Sequence, residues 1–327
     1  RTSRIFVNPL RARGAGVPEP DLRLAASFAP HVPPTPLHDE PAMAAGLGLA
    51  RLLIKDETAR WGLHAFKITG AAFAMDAAAG AHGAVVTASA GNHGHAVART
   101  ARERGMACRV FLPADALPAR VRAIGAEGAE VIQIDGTYEE ALARAGEDAA
   151  RTGALLVSDT SPPGDPAIPA LILRGYTRIF SEAAAAWERP PDLVVVQGGV
   201  GGLVGAAAGW MRARLPDAML MAAEPEGAAC LRESARAGGP VTLASTSPTS
   251  MVCLRCAAPS GAAWPLVAAG VDGFVTVSDT EAAAAVAALA RAGISAGASG
   301  ACGLAALTAI AAGFPGRTAM IIVTESA

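Results

Sequence analysis

Two α/β blocks with mostly parallel sheets are the architecture this sequence predicts. Three observations predict it. Short apolar runs alternate with segments whose apolar residues recur about every four positions, the signature of parallel βαβ units. The chain has 327 residues, of which 52% are hydrophobic, enough for two domains or one large α/β domain with a full core. The alternation is densest over 70–160, while the remaining strands and helices come from both ends of the chain.

The elements follow in order. Residues 1–50 read as irregular and proline-rich, with Pro33-Pro34-Thr35-Pro36-Leu37 as an extended turn and a short helix over 41–50 that ends at Gly46–Gly48. A strand over 51–55 runs into Asp56-Glu57, and a helix over 66–79 is closed by Gly80. Then come strand 84–88, helix 93–104, strand 108–112, helix 118–124, strand 130–134, helix 138–152 and strand 155–158. A long helix over 167–186 leads to strand 193–197, helix 203–215 and strand 219–223. The stretch 225–270 has little readable period. Beyond it the pattern gives strand 274–277, helices 280–292 and 300–312, and strand 320–324. No internal repeat or low-complexity linker interrupts the series.

Composition excludes several classes. Lys+Arg number 27 against 29 Asp+Glu, a formal charge of −2, so no nucleic-acid footprint is expected. Five scattered cysteines do not make a disulfide scaffold. The uncharged stretches 193–211 and 293–316 are broken by glycine or proline, so no membrane span is expected. The arginine-rich beginning lacks an apolar core of about 7–15 residues, so no signal peptide is expected either. These readings point to a cytoplasmic globular protein.

Only two of the 27 basic residues are lysines, Lys55 and Lys67. A guanidinium supplies charge as well as an ammonium does, but it does not form imines; an amine in so arginine-biased a chain is a candidate for carbonyl chemistry. Lys67 lies at the start of a helix, where the dipole disfavours a cation. Lys55 reads as the end of a strand paired with a carboxylate.

In open parallel sheets ligands sit at the carboxyl ends of strands, and two motifs lie there. Ser89-Ala90-Gly91-Asn92-His93-Gly94 joins a strand to a helix; its small residues and free N–H groups suit a substrate carboxylate, and the Asn92 amide suits an oxygen. Gln197-Gly198-Gly199-Val200-Gly201-Gly202 follows another strand and suits a phosphate. Glu224, 23 residues past Gly201, leaves open a dinucleotide fingerprint in a dehydrogenase. Cys253-x-x-Cys256 lacks a second pair, and His93 and His95 face apart, so no metal site is expected. A reactive lysine, a phosphate cradle and a carboxylate-binding turn together point to pyridoxal 5'-phosphate.

The chain resembles the fold type II, tryptophan-synthase-β-like, pyridoxal-phosphate enzymes, and within them the diaminopropionate ammonia-lyases. The resemblance runs through Pro34-Thr35-Pro36-Leu37, Lys55-Asp56-Glu57, Gly91-Asn92-His93-Gly94, Ser158-Asp159-Thr160, Gln197 to Gly202, Ala223-Glu224-Pro225, Ser250-Met251, Gly297-Ala298-Ser299-Gly300-Ala301 and Val323-Thr324-Glu325. The segment Gly62-Leu63-His64-Ala65-Phe66-Lys67 points to the subfamily. The resemblance implies two open α/β domains with the active site in the cleft between them: residues 1–70 with 176–327 as a large cofactor-binding domain, and 71–175 as a small domain carrying the Ser-Ala-Gly-Asn loop. It implies that Lys67 and Asp159 are catalytic, with Lys67 bonded to the cofactor as an imine. Phe66, Asn92, Gly199, Val200, Gly201, Gly202 and Thr324 would bind the cofactor, with Thr324 facing the pyridine nitrogen. Ser89, Ala90, Gly91 and His93 would bind a small amino-acid substrate, in a homodimer.

Three departures lie on the substrate side. The subfamily's acidic residue before Gly-Asn-His-Gly is Ala90, which makes the loop resemble that of serine/threonine dehydratases. Its Gly-Glu-Ser-Gly is Gly297-Ala298-Ser299-Gly300, and Ser161-Pro162-Pro163 replaces an aromatic after Asp159-Thr160. The expected activity is α,β-elimination from a small L-amino acid. A dehydratase, a β-replacement synthase and a catalytically reduced cofactor-binding protein are the alternatives.

Overall fold

The computed structural model describes residues 4–11, 32–78, 82–160 and 167–326. It divides into two compact units, Arg1–Phe66 with Tyr176–Ala327, and Lys67–Gly175. The sequence reading puts the corresponding boundary four residues later, at 70/71.

In chain order the larger unit opens with β1 (Ile5–Val7), β2 (Leu37–Asp39), α1 (Pro41–Gly46) and β3 (Arg51–Asp56). The smaller unit follows with α2 (Lys67–Ala78), β4 (Ala84–Ala88), α3 (Asn92–Glu103), β5 (Ala107–Pro113), α4 (Pro118–Ala126), β6 (Glu130–Ile134), α5 (Tyr138–Thr152) and β7 (Leu155–Leu156). Helix α6 (Ala167–Ala186) carries the chain back to the larger unit. There it forms β8 (Leu193–Gln197), α7 (Gly202–Arg214), β9 (Met219–Pro225), α8 (Cys230–Ala237), α9 (Trp264–Gly270), β10 (Gly273–Val277), α10 (Asp279–Arg291), α11 (Ala298–Ile310) and β11 (Thr318–Val323). The expected stop at Gly80 and the departure at 161–163 fall outside the described residues.

The larger unit has a seven-stranded sheet in the order β1-β10-β9-β8-β11-β3-β2. Its five inner strands are parallel, and every residue of β8 and β11 is buried, as expected where helices cover both faces. The edge strands β1 and β2 pair antiparallel with β10 and β3. Both are only three residues long, too short to leave a period in the sequence, so the reading of 1–50 as irregular misses them. One face of the sheet packs Val195, Met221, Val275 and Ile321 against Leu304 and Leu307 of α11 and Leu289 of α10.

The smaller unit has a four-stranded, wholly parallel sheet, β6-β5-β4-β7. Helix α5 is delimited by its own sequence: Thr137 and Glu140 form a reciprocal cap at its start, and Gly153 takes a left-handed conformation at its end. The expected strand over 155–158 shortens to Leu155–Leu156. The next carbonyl, that of Val157, accepts from two side chains, Thr87 Oγ1 at 2.7 Å and His93 Nε2 at 3.0 Å. Those donors end the ladder and turn the chain at the strand's carboxyl end, where Ser158 and Asp159 follow.

Candidate active site

In the smaller unit, Lys67 is the first residue of α2, and its Nζ donates to Asp159 Oδ2 at 2.7 Å. Both side chains remain partly accessible, 23% and 16% exposed. Asp159 is held by the turn after β7. Ser158 Oγ donates to the Thr160 carbonyl at 2.9 Å, and the bonds of Thr87 and His93 to Val157 O brace the turn from β4 and α3. Burial would raise the Asp159 carboxyl, but the Lys67 ammonium and His93 beside it override this and hold it well below the usual carboxylate range. His93 is buried, and burial lowers its imidazole even though Asp159 pulls the other way. A carbonyl only accepts, so His93 Nε2 carries the proton and Nδ1 is an acceptor; that buried atom has no partner among the described residues.

Ser89, Ala90, Gly91 and Asn92 are half-buried and lie between β4 and α3. The Gly91 N–H donates to Ser89 Oγ at 3.2 Å. A Cβ on Gly94 would sit 2.0 Å from the Ser89 carbonyl oxygen, so only glycine lets α3 begin this close to the loop. His95 turns away from His93, with Nε2 3.1 Å from Glu127 Oε1.

In the larger unit the loop after β8 leads into α7. Gly201 has φ +93°, a left-handed position suited to glycine. Cβ atoms on Gly198 and Gly199 would stand 2.7 Å from Leu231 Cδ1 and 2.9 Å from Cys256 Sγ, so side chains pack directly against the loop backbone. Among the described residues, no acceptor takes the N–H groups of Gly199, Val200, Gly201 and Gly202. Four such donors at the start of a thirteen-residue helix make an anion cradle.

Thr324 follows β11 and is buried. Its hydroxyl oxygen accepts from Gln197 Nε2 at 3.0 Å, and its carbonyl accepts from the Phe66 N–H at 3.1 Å. The Phe66 ring packs on Tyr176 with centroids 4.8 Å apart. Phe66 therefore ends the larger unit's first segment, anchored beside Thr324, and Lys67 is the next residue in the chain. Glu224 is buried, and its two oxygens accept the Leu231 and Arg232 N–H groups at 2.7 and 2.9 Å. Both oxygens are thus engaged by the start of α8, which removes the ribose ligand that the dinucleotide reading needs.

The structure brings Lys67 and Asp159 together across 92 residues of sequence and places His93 beside them. Thr87 is a site residue that sequence reasoning misses, and Gln197 is quoted there at the head of the glycine motif without a role of its own. For Gln197 a signal existed, an amide closing the otherwise apolar strand Leu193–Gln197. For Thr87 there was none. Among the described residues, no helix is long and apolar enough to cross a membrane.

Comparison with known proteins places this geometry. Residues 28–325 match the pyridoxal-phosphate dependent enzyme family. The diaminopropionate ammonia-lyase of Salmonella typhimurium is 30% identical over 284 residues, 76% of this chain and 70% of that protein. A biosynthetic L-threonine dehydratase of Mycobacterium tuberculosis is 33% identical over 230 residues, 68% of this chain and 51% of that protein. Among solved structures, the diaminopropionate ammonia-lyase of Escherichia coli in complex with an aminoacrylate-PLP azomethine reaction intermediate superposes with a TM-score of 0.90 at 26% identity, covering 98% of this chain and 93% of that one. The α/β architecture of parallel sheets is that of fold type II, and the chain belongs to the pyridoxal-phosphate dependent enzyme family.

Proposed function

We propose that this chain is a lyase that removes the β-substituent of a small L-amino acid related to diaminopropionate, giving a 2-oxo acid and ammonia. The observation that carries the reading is the 2.7 Å contact of the Lys67 amine with Asp159. When bound, pyridoxal phosphate supplies an aldehyde for an amine and a ring that draws electron density from the substrate's α-carbon.

The residues present fit that group. The N–H groups of Gly199, Val200, Gly201 and Gly202 suit its phosphate, the Thr324 hydroxyl suits its ring nitrogen, and the Asn92 amide suits its ring oxygen, with Phe66 packing near. The larger unit is then the cofactor-binding domain, and the smaller unit carries the substrate loop. Lys67 supplies the imine-forming amine and, once freed, takes the α-proton at Nζ from the face an L-substrate presents. Asp159 holds that nitrogen in place and stabilises the ammonium that results. The Ser89 hydroxyl and the backbone N–H groups at the start of α3, that of His93 among them, suit the substrate carboxylate; the Gly91 N–H holds Ser89 Oγ and the His93 ring N–H is spent on Val157 O. Ala90 offers no acceptor where a D-substrate would present its proton. The working form is a cytoplasmic homodimer, to be checked by light scattering of the purified protein.

Serine/threonine dehydration is the second reading, favoured by Ser89-Ala90-Gly91-Asn92. The test is a panel of D- and L-diaminopropionate, L-serine and L-threonine, assayed for 2-oxo acid and ammonia. Turnover of L-diaminopropionate without the D-isomer supports the first reading, and turnover of the hydroxy amino acids alone supports the second. Turnover of none, with cofactor fixed on Lys67 by borohydride, shows a binding protein.

A further inference from the structure

Gln197 is buried at the end of β8, and its Nε2 faces four oxygens: the carbonyls of Ser299, Gly300 and Ile322 at 3.3, 3.0 and 3.0 Å, and Thr324 Oγ1 at 3.0 Å. Three carbonyls around one atom fix the amide's orientation, because a turned amide would set its oxygen against three others. Gln197 Oε1 is left buried with no partner among the described residues, which costs of the order of one lost hydrogen bond. A residue this constrained has one consequence for its neighbour. An amide nitrogen has no lone pair to accept with, so the Thr324 hydroxyl hydrogen cannot point at it. Thr324 Oγ1 is an acceptor toward Gln197, and its hydrogen is directed elsewhere. Among the described residues no acceptor takes that hydrogen.

We infer that Gln197 is a positioning residue: it fixes Thr324 as a hydrogen-bond donor, the orientation required by the largely unprotonated ring nitrogen that the family resemblance implies. This rests on the reading above, in which Thr324 meets the cofactor ring. A donating hydroxyl complements a nitrogen with a free lone pair and opposes a protonated one. The ring then withdraws less charge from the substrate's α-carbon, which favours prompt loss of the β-substituent over return of a proton to that carbon. Two polar side chains 127 residues apart thereby set the protonation state of a group that neither carries.

The test uses the intact protein reconstituted with pyridoxal phosphate labelled with nitrogen-15 in the ring, read by nitrogen-15 NMR. The wild type is expected to show an unprotonated pyridine across the neutral pH range. In Gln197→Leu and Gln197→Met the Thr324 hydroxyl hydrogen is no longer barred from the direction that Nε2 occupies. The resonance is then expected to move upfield, by much of the interval toward a protonated pyridine, and cofactor affinity to fall roughly fivefold. Thr324→Asp marks the protonated limit. A protonated wild-type ring overturns the inference, as does an unmoved resonance in folded Gln197 variants. Should neither variant fold, Gln197→Glu decides: its carboxyl oxygens accept from the Thr324 hydroxyl and are expected to move the resonance the same way, and an unmoved resonance overturns the inference. Failure of Lys67 to take up the cofactor at all would instead overturn the functional reading.

Discussion

The chain's two lysines answer to different demands. Lys55 is fully buried in the larger unit, and its ammonium is spent on structure: Nζ donates to Thr35 O at 2.7 Å, Thr35 Oγ1 at 2.5 Å and Glu182 Oε2 at 2.9 Å. Glu182 also receives Arg60 and Arg178, and Arg60 in turn grips Glu57 through two bonds of 2.7 Å. This network ties the proline-rich segment, the end of β3 and helix α6 into one piece. Lys67 is partly exposed, begins a helix, and meets the Asp159 carboxylate at the mouth of a turn. Scarcity of lysine therefore marks two positions where a guanidinium is a poor substitute, for separate reasons. One needs a compact charge that donates to three converging acceptors; the other needs an amine that can form an imine.

The largest effect that separates them is chemical. Lys67→Arg should abolish borohydride-fixable cofactor and lower turnover by more than about 10³-fold, because the charge remains and the nucleophile does not. Lys55→Arg should retain cofactor fixed on Lys67. Peptide mapping after reduction decides it, and label recovered on Lys55 would reverse the assignment of the two roles.

The next effect is thermodynamic. Lys55→Met removes one cation from a buried network and leaves Glu182 and Thr35 short of a donor. Breaking a buried pair on one side costs about 3–5 kcal/mol. Denaturant unfolding should register a loss of that size, with cofactor attachment at Lys67 intact in whatever remains folded. An unchanged midpoint would mean that Arg60 and Arg178 suffice without Lys55.

How much of this was legible in the sequence follows from the range of the interactions. The strands and helices that build the sheets announce themselves locally, and most observed elements lie within a residue or two of their expected positions. The loop Gly198–Gly201 and the turn Ser89–Gly91 could be placed because strand ends are where ligands sit. In the stretch 225–270 the sequence reading misses the short helices α8 and α9, and the residues between them are held by long-range bonds rather than by a period. Ser247 N–H donates to Gly227 O, Ser260 N–H to Val200 O, and Cys253 N–H to Ser299 Oγ. Lys67 with Asp159, and Gln197 with Thr324, are likewise invisible pairs, joined only when segments distant in sequence are brought together. The resemblance supplied Asp159 as a single residue; its amine partner at 2.7 Å is a product of folding.

Asp159 offers the third test, on the reactive side of the comparison. Asp159→Asn preserves shape and removes the charge facing Lys67. Cofactor should still be fixed on Lys67, while kcat falls by about 10²–10³-fold, in the range of a lost general acid–base partner. A variant that turns over like the wild type would reduce Asp159 to a turn residue.

The smallest effect is a pH dependence that belongs to the Lys55 network. Burial opposes the ionised form of Glu182, but Arg60, Lys55 and Arg178 outweigh it and bring the carboxyl from 4.5 down to about 2. A carboxyl depressed in the folded state binds fewer protons there than in the unfolded chain. Its stabilisation is fully present above the unfolded value of 4.5 and is lost as pH falls from there to about 2. Such a shift is worth roughly 2 kcal/mol once solvent screening is allowed for. Asp159 is depressed as well, so both lysine partners lose ground in acid, and a variant is needed to separate them. In Glu182→Gln the loss assigned to this network should vanish, leaving a shallower fall in melting temperature between pH 5 and 2.5 from a lower starting point. Parallel wild-type and Glu182→Gln curves over that range would show that the network around Lys55 does not draw its stability from the Glu182 charge.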